Sequence, residues 1–374
     1  MAKRNEKGPL SVLLALAIAV VLLAAQVKPA VGGGYTDPMQ AEVRKIVGGR
    51  LYDAPGLIRL LFHDCWVQGC DGSVLLTETP YKSKDGKTEQ DGPANIGLRG
   101  LDMIQAIKDK LYAHDNAVTC ADAVVYAARE ATYLLSNKQI IYDVAGPGSH
   151  RDGLVSSADK TNVLPGPTSG YDDLVKNFHD NGGLDHEDLV ALSGAHGVGK
   201  AHLSTFADRF GPAADDEINH AYRDALKKRI PKEASDDALA LHNLGLLSFN
   251  PAAKNDAAGK LKSNPTVENN VRDMDDVRSE SGYDATGVSL APKGALDNSY
   301  YTANLQNMVL FKSDWALTTN HTAKAKMVDY KKDAKAWYAR FGKAMEKLSK
   351  LKDNNARYEN EPRTNCSATN KKSY

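Results

Sequence analysis

The segment RLLFHDCWVQGCDGS, residues 59–73, holds two kinds of chemistry side by side. Arg59 and His63 are four residues apart, so on a helix they project from one face. A permanent cation beside an imidazole disfavours the imidazolium and leaves a lone pair for a general base near neutral pH. The residues that follow are hard oxygen donors. Asp64, Asp71 and Ser73 carry side-chain oxygens, and Val67 and Gly69 can turn backbone carbonyls inward. Oxygens folded round by a tight loop suit Ca²⁺, although the spacing is not that of an EF-hand. Cys65 and Cys70 are close enough to bridge that loop, and Glu89 could add a contact through water from outside it.

A second stretch, GAHGVGKA at residues 194–201, has two exclusive readings. Its glycines and Lys200, behind the apolar run 189–192, suggest a phosphate loop; its histidine suggests a short break that presents His196 as a ligand. Ala201 stands where a phosphate loop needs a Ser or Thr hydroxyl for Mg²⁺. The chain also lacks the alternation of strand and helix that builds a parallel sheet. The ligand reading is preferred.

The elements that must position these groups are mainly helices. Apolar residues recur at helical spacing in 37–53, in 100–114 (Leu101, Ile104, Ile107 and Leu111 on one face) and in 121–135. Asp53 followed by Pro55 marks a helix start, with Asp53 as cap, and that helix carries Leu57, Ile58, Leu60, Leu61 and Phe62. Residues 326–351 are expected to form one long basic amphipathic helix with Trp337, Phe341, Met345 and Leu348 inward and a solvated charged face. The polar stretch from about Asp215 to Gly287 reads as a long surface excursion with short helical pieces.

The 374 residues carry 47 basic and 47 acidic side chains, which gives no support for affinity to nucleic acid or an anionic membrane. Lys3, Arg4 and Lys7 precede an apolar run from Leu10 to Ala25 that ends in small residues. That pattern reads as a secretory signal, residues 1–31, and is shorter than the roughly 20 residues of a membrane span. Export places the four cysteines in an oxidising compartment and favours two disulfides, Cys65 with Cys70 and Cys120 with Cys366. Asn320 and Asn365 head glycosylation acceptor triplets that suit the same route.

Taken in register, Arg59, Phe62, His63, Asp64, Cys65, Val67, Gly69, Cys70, Asp71 and Ser73 resemble the distal motif of the secretory plant (class III) haem peroxidases. The resemblance runs from about residue 35 to Cys366 and is weakest over 212–290. It implies a mainly α fold in which two helical subdomains enclose haem b. The mature domain would span 32–374, with a distal half of about 35–160, a proximal half of about 161–335 and a C-terminal helix and tail over 336–374. It assigns Arg59, His63 and Asn95 to peroxide chemistry, with Asn95 and Glu89 in EQDGPANIG matching residues that orient the distal histidine. His196, in DLVALSGAHGVGK, matches the haem-iron ligand, and Asp314, in FKSDWAL, matches its buried carboxylate partner. Pro165 matches a substrate-side proline. The implied activity is oxidation of small phenolic donors by hydrogen peroxide through a ferryl intermediate, in a secreted monomer bound for the cell wall or a vacuole, without stable membrane association.

Three departures stand against that pattern. The family usually carries eight cysteines. Here one missing bridge falls near Thr36 and His114, and another at Leu203 and Ile230, so lower stability is expected unless packing compensates. The proximal calcium site looks broken, since Gly197, Ser289 and Pro292 replace ligand types and leave Asp297 as a weak candidate; one calcium, in the distal loop, is expected. Val288 stands where an aromatic commonly lies near the proximal histidine, and Pro93, Thr168 and Thr205 stand at or near substrate-contact aromatics. The remaining histidines, His150, His179 and His242 among them, read as surface or structural. Two rival classes follow: a haem-binding relative with weak or lost turnover, and a secreted calcium- and disulfide-stabilised module without haem.

Overall fold

The computed structural model describes residues 34–243, 264–274, 277, 278, 282, 294–352, 354 and 357–370. The expected secretory signal lies outside them, as do Val288, Ser289 and Pro292. Helices dominate, as expected. The strands among the described residues are β1 (Lys200–His202) and β2 (Thr266–Glu268), an antiparallel pair in which Ala201 faces Val267. This ribbon has no parallel neighbour to build a phosphate-loop platform, and its Lys200 pairs with Glu268 instead.

The half that carries His63 is built on α1 (Asp37–Gly49), α2 (Ala54–Gln68), α3 (Leu101–Tyr112) and α4 (Cys120–Leu135). Helix α4 is the hub, and α1, α2 and α3 all pack on it. Thr119 and Asp122, in the sequence TCAD, form a reciprocal capping box that starts α4. Helix α2 starts at the expected place, but Asp53 does not cap it. Asp53 has a helical backbone and accepts from Arg50 instead, at 2.7 Å. The core face of α2 carries Leu57, Leu60, Leu61 and Cys65, which turns Arg59 and His63 the other way. In α3, Ile104, Ile107 and Leu111 are buried while Leu101 at its start is only partly so.

The half that carries His196 contains α5 (Tyr171–Gly182), α6 (His186–Ser193), α7 (His220–Arg229) and α8 (Lys232–Asn243). It continues with α9 (Ser299–Asn304), α10 (Lys312–Ala316), α11 (His321–Lys332) and α12 (Ala334–Leu348). The single long helix expected over 326–351 is two helices. Asp333 leaves helical geometry and its carboxylate accepts from Lys335 N and Ala336 N, capping α12. Trp337, Phe341, Met345 and Leu348 are inward, as read. The excursion from Asp215 is also more than a surface elaboration. Tyr222 and Leu226 of α7, Ile230 just after it and Ala238 of α8 join Val267, Val271 and Met274 in a second buried core.

Both expected disulfides are present, Cys65–Cys70 and Cys120–Cys366. Arg363 strengthens the second tie: fully buried, it donates to Gly72 O at 2.6 Å and to Cys366 O at 3.0 Å. Of the missing bridges, the Leu203–Ile230 position is filled by apolar packing in the second core, whereas Thr36 and His114 are exposed.

Candidate active site

A cavity of about 430 Å³ lies between α2 and the turn that follows α6, and both His63 and His196 line it. On the distal wall, His63 Nδ1 lies 2.5 Å from Asn95 Oδ1. An amide oxygen only accepts, so Nδ1 carries the proton and Nε2 the lone pair. Arg59 Nε donates to that Nε2 at 3.2 Å, and Arg59 Nη2 donates to Ala94 O at 2.8 Å. Enclosure by protein, and then the Arg59 charge, push the His63 imidazole down to about 3, against the opposing hydrogen bond to Asn95. Burial, with Arg99 nearby, likewise holds the Arg59 guanidinium down to about 10. Phe62 lines the same cavity and stacks on Trp66, centroids 4.6 Å apart.

On the proximal wall, His196 sits in a short 3₁₀ turn, Gly194–Gly197. Gly194 is required there, because a Cβ would come within 2.7 Å of the Trp337 ring. His196 Nδ1 lies 2.9 Å from Asp314 Oδ1, which leaves Nε2 for the cavity. Burial opposes charge on this imidazole, but the Asp314 carboxylate outweighs it and the pKa is raised. Tyr300 Oη also donates to Asp314 Oδ1, at 2.8 Å, and Phe311 meets His196 edge-on with centroids 5.0 Å apart. Neither residue was singled out in the sequence, where a tyrosine or phenylalanine at these spacings reads as core.

The oxygen-rich loop is closed round by the Cys65–Cys70 bridge, and its Asp64, Asp71 and Ser73 are fully buried while Val67 is half-buried. Asp64 accepts from Gly72 N at 3.0 Å, and Asp71 accepts from Ser73 N at 2.9 Å. Gly72 has φ of 65°, and a Cβ there would lie 2.6 Å from Arg363 Nη2, so the loop needs glycine twice over. Burial first, and then the neighbouring carboxylates, push the Asp64 and Glu89 carboxyls up. Glu89 Oε2 and Gln68 Oε1 are buried without a partner. Buried acids that repel one another, beside orphaned oxygens, fit a hard cation. No group of three His, Cys, Asp or Glu side chains arranged to hold a metal occurs among the described residues. The expected set here relies on two direct carboxylates, the Ser73 hydroxyl and the carbonyls of Val67 and Gly69. Glu89, which accepts from Gln68 Nε2 at 3.1 Å, ties the loop to the wall that carries His63, because its backbone O accepts from Asn95 Nδ2 at 2.7 Å.

Asp297 is buried on the proximal side, but its carboxylate is paired with Arg272. With Gly197 offering no hydroxyl, this corner does not fit a calcium ion. Pro165 lines the cavity as expected, as do Pro93 and Thr205. One expectation is corrected: His202, grouped with the structural histidines, lines the cavity too, since β1 turns it toward Gly97. His150 is buried and structural, and His179 is exposed. Asn320 uses Oδ1 to cap α11, and Asn365 is exposed.

A family model described as "Peroxidase" matches residues 39–333. "Peroxidase 2" of Zea mays is 33% identical over 335 residues, covering 89% of this chain and 84% of the relative. "Peroxidase 5" of Vitis vinifera is 32% identical over 306 residues, covering 80% and 77%. "Peroxidase 39" of Arabidopsis thaliana is 30% identical over 321 residues, covering 83% and 82%. With two disulfides where the family usually has four, the chain belongs to the peroxidase family as a divergent member of its class III plant branch.

Proposed function

We propose that this peroxidase holds haem b in the cavity between His63 and His196, and uses hydrogen peroxide to oxidise small phenolic donors. The observation that carries the reading is the pairing of two differently tuned histidines across one cavity. One is kept neutral by Asn95 and Arg59, and the other is made electron-rich by Asp314. Bound haem supplies the iron that receives peroxide and stores its oxidising equivalents. His196 Nε2 would hold that iron, and Asp314, accepting from Nδ1, strengthens the imidazole as a donor. His63 Nε2 takes the proton from one peroxide oxygen and returns it to the other. Arg59 N–H groups face the charge that develops as the O–O bond breaks. The apolar lining from Leu164, Pro165 and Phe178 suits an aromatic donor. Calcium in the 64–73 loop would hold Glu89, and through it Asn95, in place. Secretion and glycosylation at Asn320 and Asn365 belong to the same reading.

The test is the visible spectrum of the haem-loaded chain before and after one equivalent of peroxide, and again after a phenol. Conversion by peroxide and return with phenol is the expected result. Haem that binds but does not respond to peroxide would support the weakened relative, which the altered proximal corner favours. Folded protein that takes up no haem would overturn both readings.

A further inference from the structure

We infer that the guanidinium of Arg272 is a built-in cation that takes the place of a metal ion at the Asp297 corner of the proximal side. Arg272 comes from a short 3₁₀ turn, Val271–Asp273, and is only 3% exposed. A buried charge of this kind must be paired. Its Nη1 donates to Asp297 Oδ2, its Nη2 to Ala295 O at 3.0 Å, and its Nε to Asp273 Oδ1 at 3.4 Å.

The other oxygens at this corner are engaged as well. Asp297 Oδ1 accepts from Ser299 N at 3.0 Å, and Asp273 Oδ2 accepts from Gly294 N at 3.1 Å. Ser299 Oγ accepts from Asn270 Nδ2. A calcium ion needs six to eight oxygens at roughly 2.3–2.6 Å, with no cation among them. Here a permanent cation already holds the carboxylate and a carbonyl.

Gly197, the residue after His196, faces the same corner. A Cβ there would lie 3.5 Å from Tyr300 Cβ, 3.7 Å from Asp297 O and 3.8 Å from Asn270 Nδ2. Those are ordinary contacts, so a Cβ would fit there and no close approach forces glycine at this position. The guanidinium then does a metal's work. It draws the 270–273 turn, Ala295 and Asp297 together at the start of α9, the helix that carries Tyr300 to Asp314. The inference concerns the fold on this side and does not depend on peroxide turnover.

Calcium content of the full haem-loaded chain, by elemental analysis after equilibrium dialysis against calcium, should be no more than one ion per chain. It should be unchanged in Asp297→Asn. Arg272→Met should lower the melting temperature by roughly 5–10 °C, the loss expected for one partner of a buried pair. Adding Asp297→Asn to Arg272→Met should restore part of that loss, because no carboxylate is then left uncompensated. Two tightly bound calcium ions per wild-type chain, a loss of one ion in Asp297→Asn, or fully additive losses in the double variant would each overturn the inference. If Arg272→Met does not fold, the wild-type and Asp297→Asn calcium contents still decide.

Discussion

Tyr300 and His196 meet on a single oxygen: Tyr300 Oη and His196 Nδ1 both lie within hydrogen-bond distance of Asp314 Oδ1, at 2.8 and 2.9 Å. The tyrosine hydroxyl draws charge from the carboxylate that makes His196 electron-rich. Tyr300 therefore moderates the push that Asp314 delivers to whatever His196 holds.

Tyr300→Phe should free Asp314 to accept more strongly from His196. In the haem-loaded protein the reduction potential should fall relative to wild type, and Asp314→Asn should raise it. Spectroelectrochemical titration measures both. An unchanged potential in Tyr300→Phe would reduce the tyrosine to a packing role.

His63→Ala should leave haem bound and slow the peroxide step by about 10²–10⁴-fold. In the wild type that step should be independent of pH from neutral down to about 4. It should fall only as the imidazole, pushed down to about 3, takes a proton on Nε2. Stopped-flow mixing with peroxide across pH reads both effects. A rate that falls with an apparent pKa near 6.5 would show that burial and Arg59 do not depress His63.

His150 gives a second pH dependence, of opposite sign. It is buried between Asp122 Oδ1 at 2.8 Å and Ser349 O at 2.9 Å, two acceptors that together require an imidazolium. Burial opposes that charge, but Asp122 and Ser349 outweigh it and the pKa is raised. The stabilisation is therefore full below about pH 6.5, the unfolded value, and is lost as pH rises through the folded value. Urea unfolding of wild type and His150→Gln over pH 5.5–8.5 should show a slope in the former that the latter lacks.

Chelation should act through the distal loop. Treating the protein with EGTA should lower the melting temperature, and added calcium should restore it, because Asp64, Asp71 and Glu89 are buried carboxylates that repel one another. Asp71→Asn should abolish the response to calcium. A melting temperature indifferent to chelator would remove calcium from the description of this loop.

Some of this molecule was settled by local sequence. The i, i+4 spacing of Arg59 and His63 on an amphipathic helix places both on one face, because helix periodicity is a local property. The two disulfides are legible in an even count of four cysteines, two of them five positions apart, and the break around His196 in the residues that flank it. The tertiary structure decided what depends on residues far apart. It split the 326–351 helix, because Asp333 is placed to cap the second half. It buried α7 and α8 in a core of their own, since apolar residues scattered through a polar stretch reveal a core only when the partners at 267–274 arrive. Tyr300 on Asp314, Trp337 against Gly194 and Arg272 on Asp297 are the same kind of fact. Each joins residues separated by 14 to 143 positions, and no periodicity in a sequence encodes such a meeting.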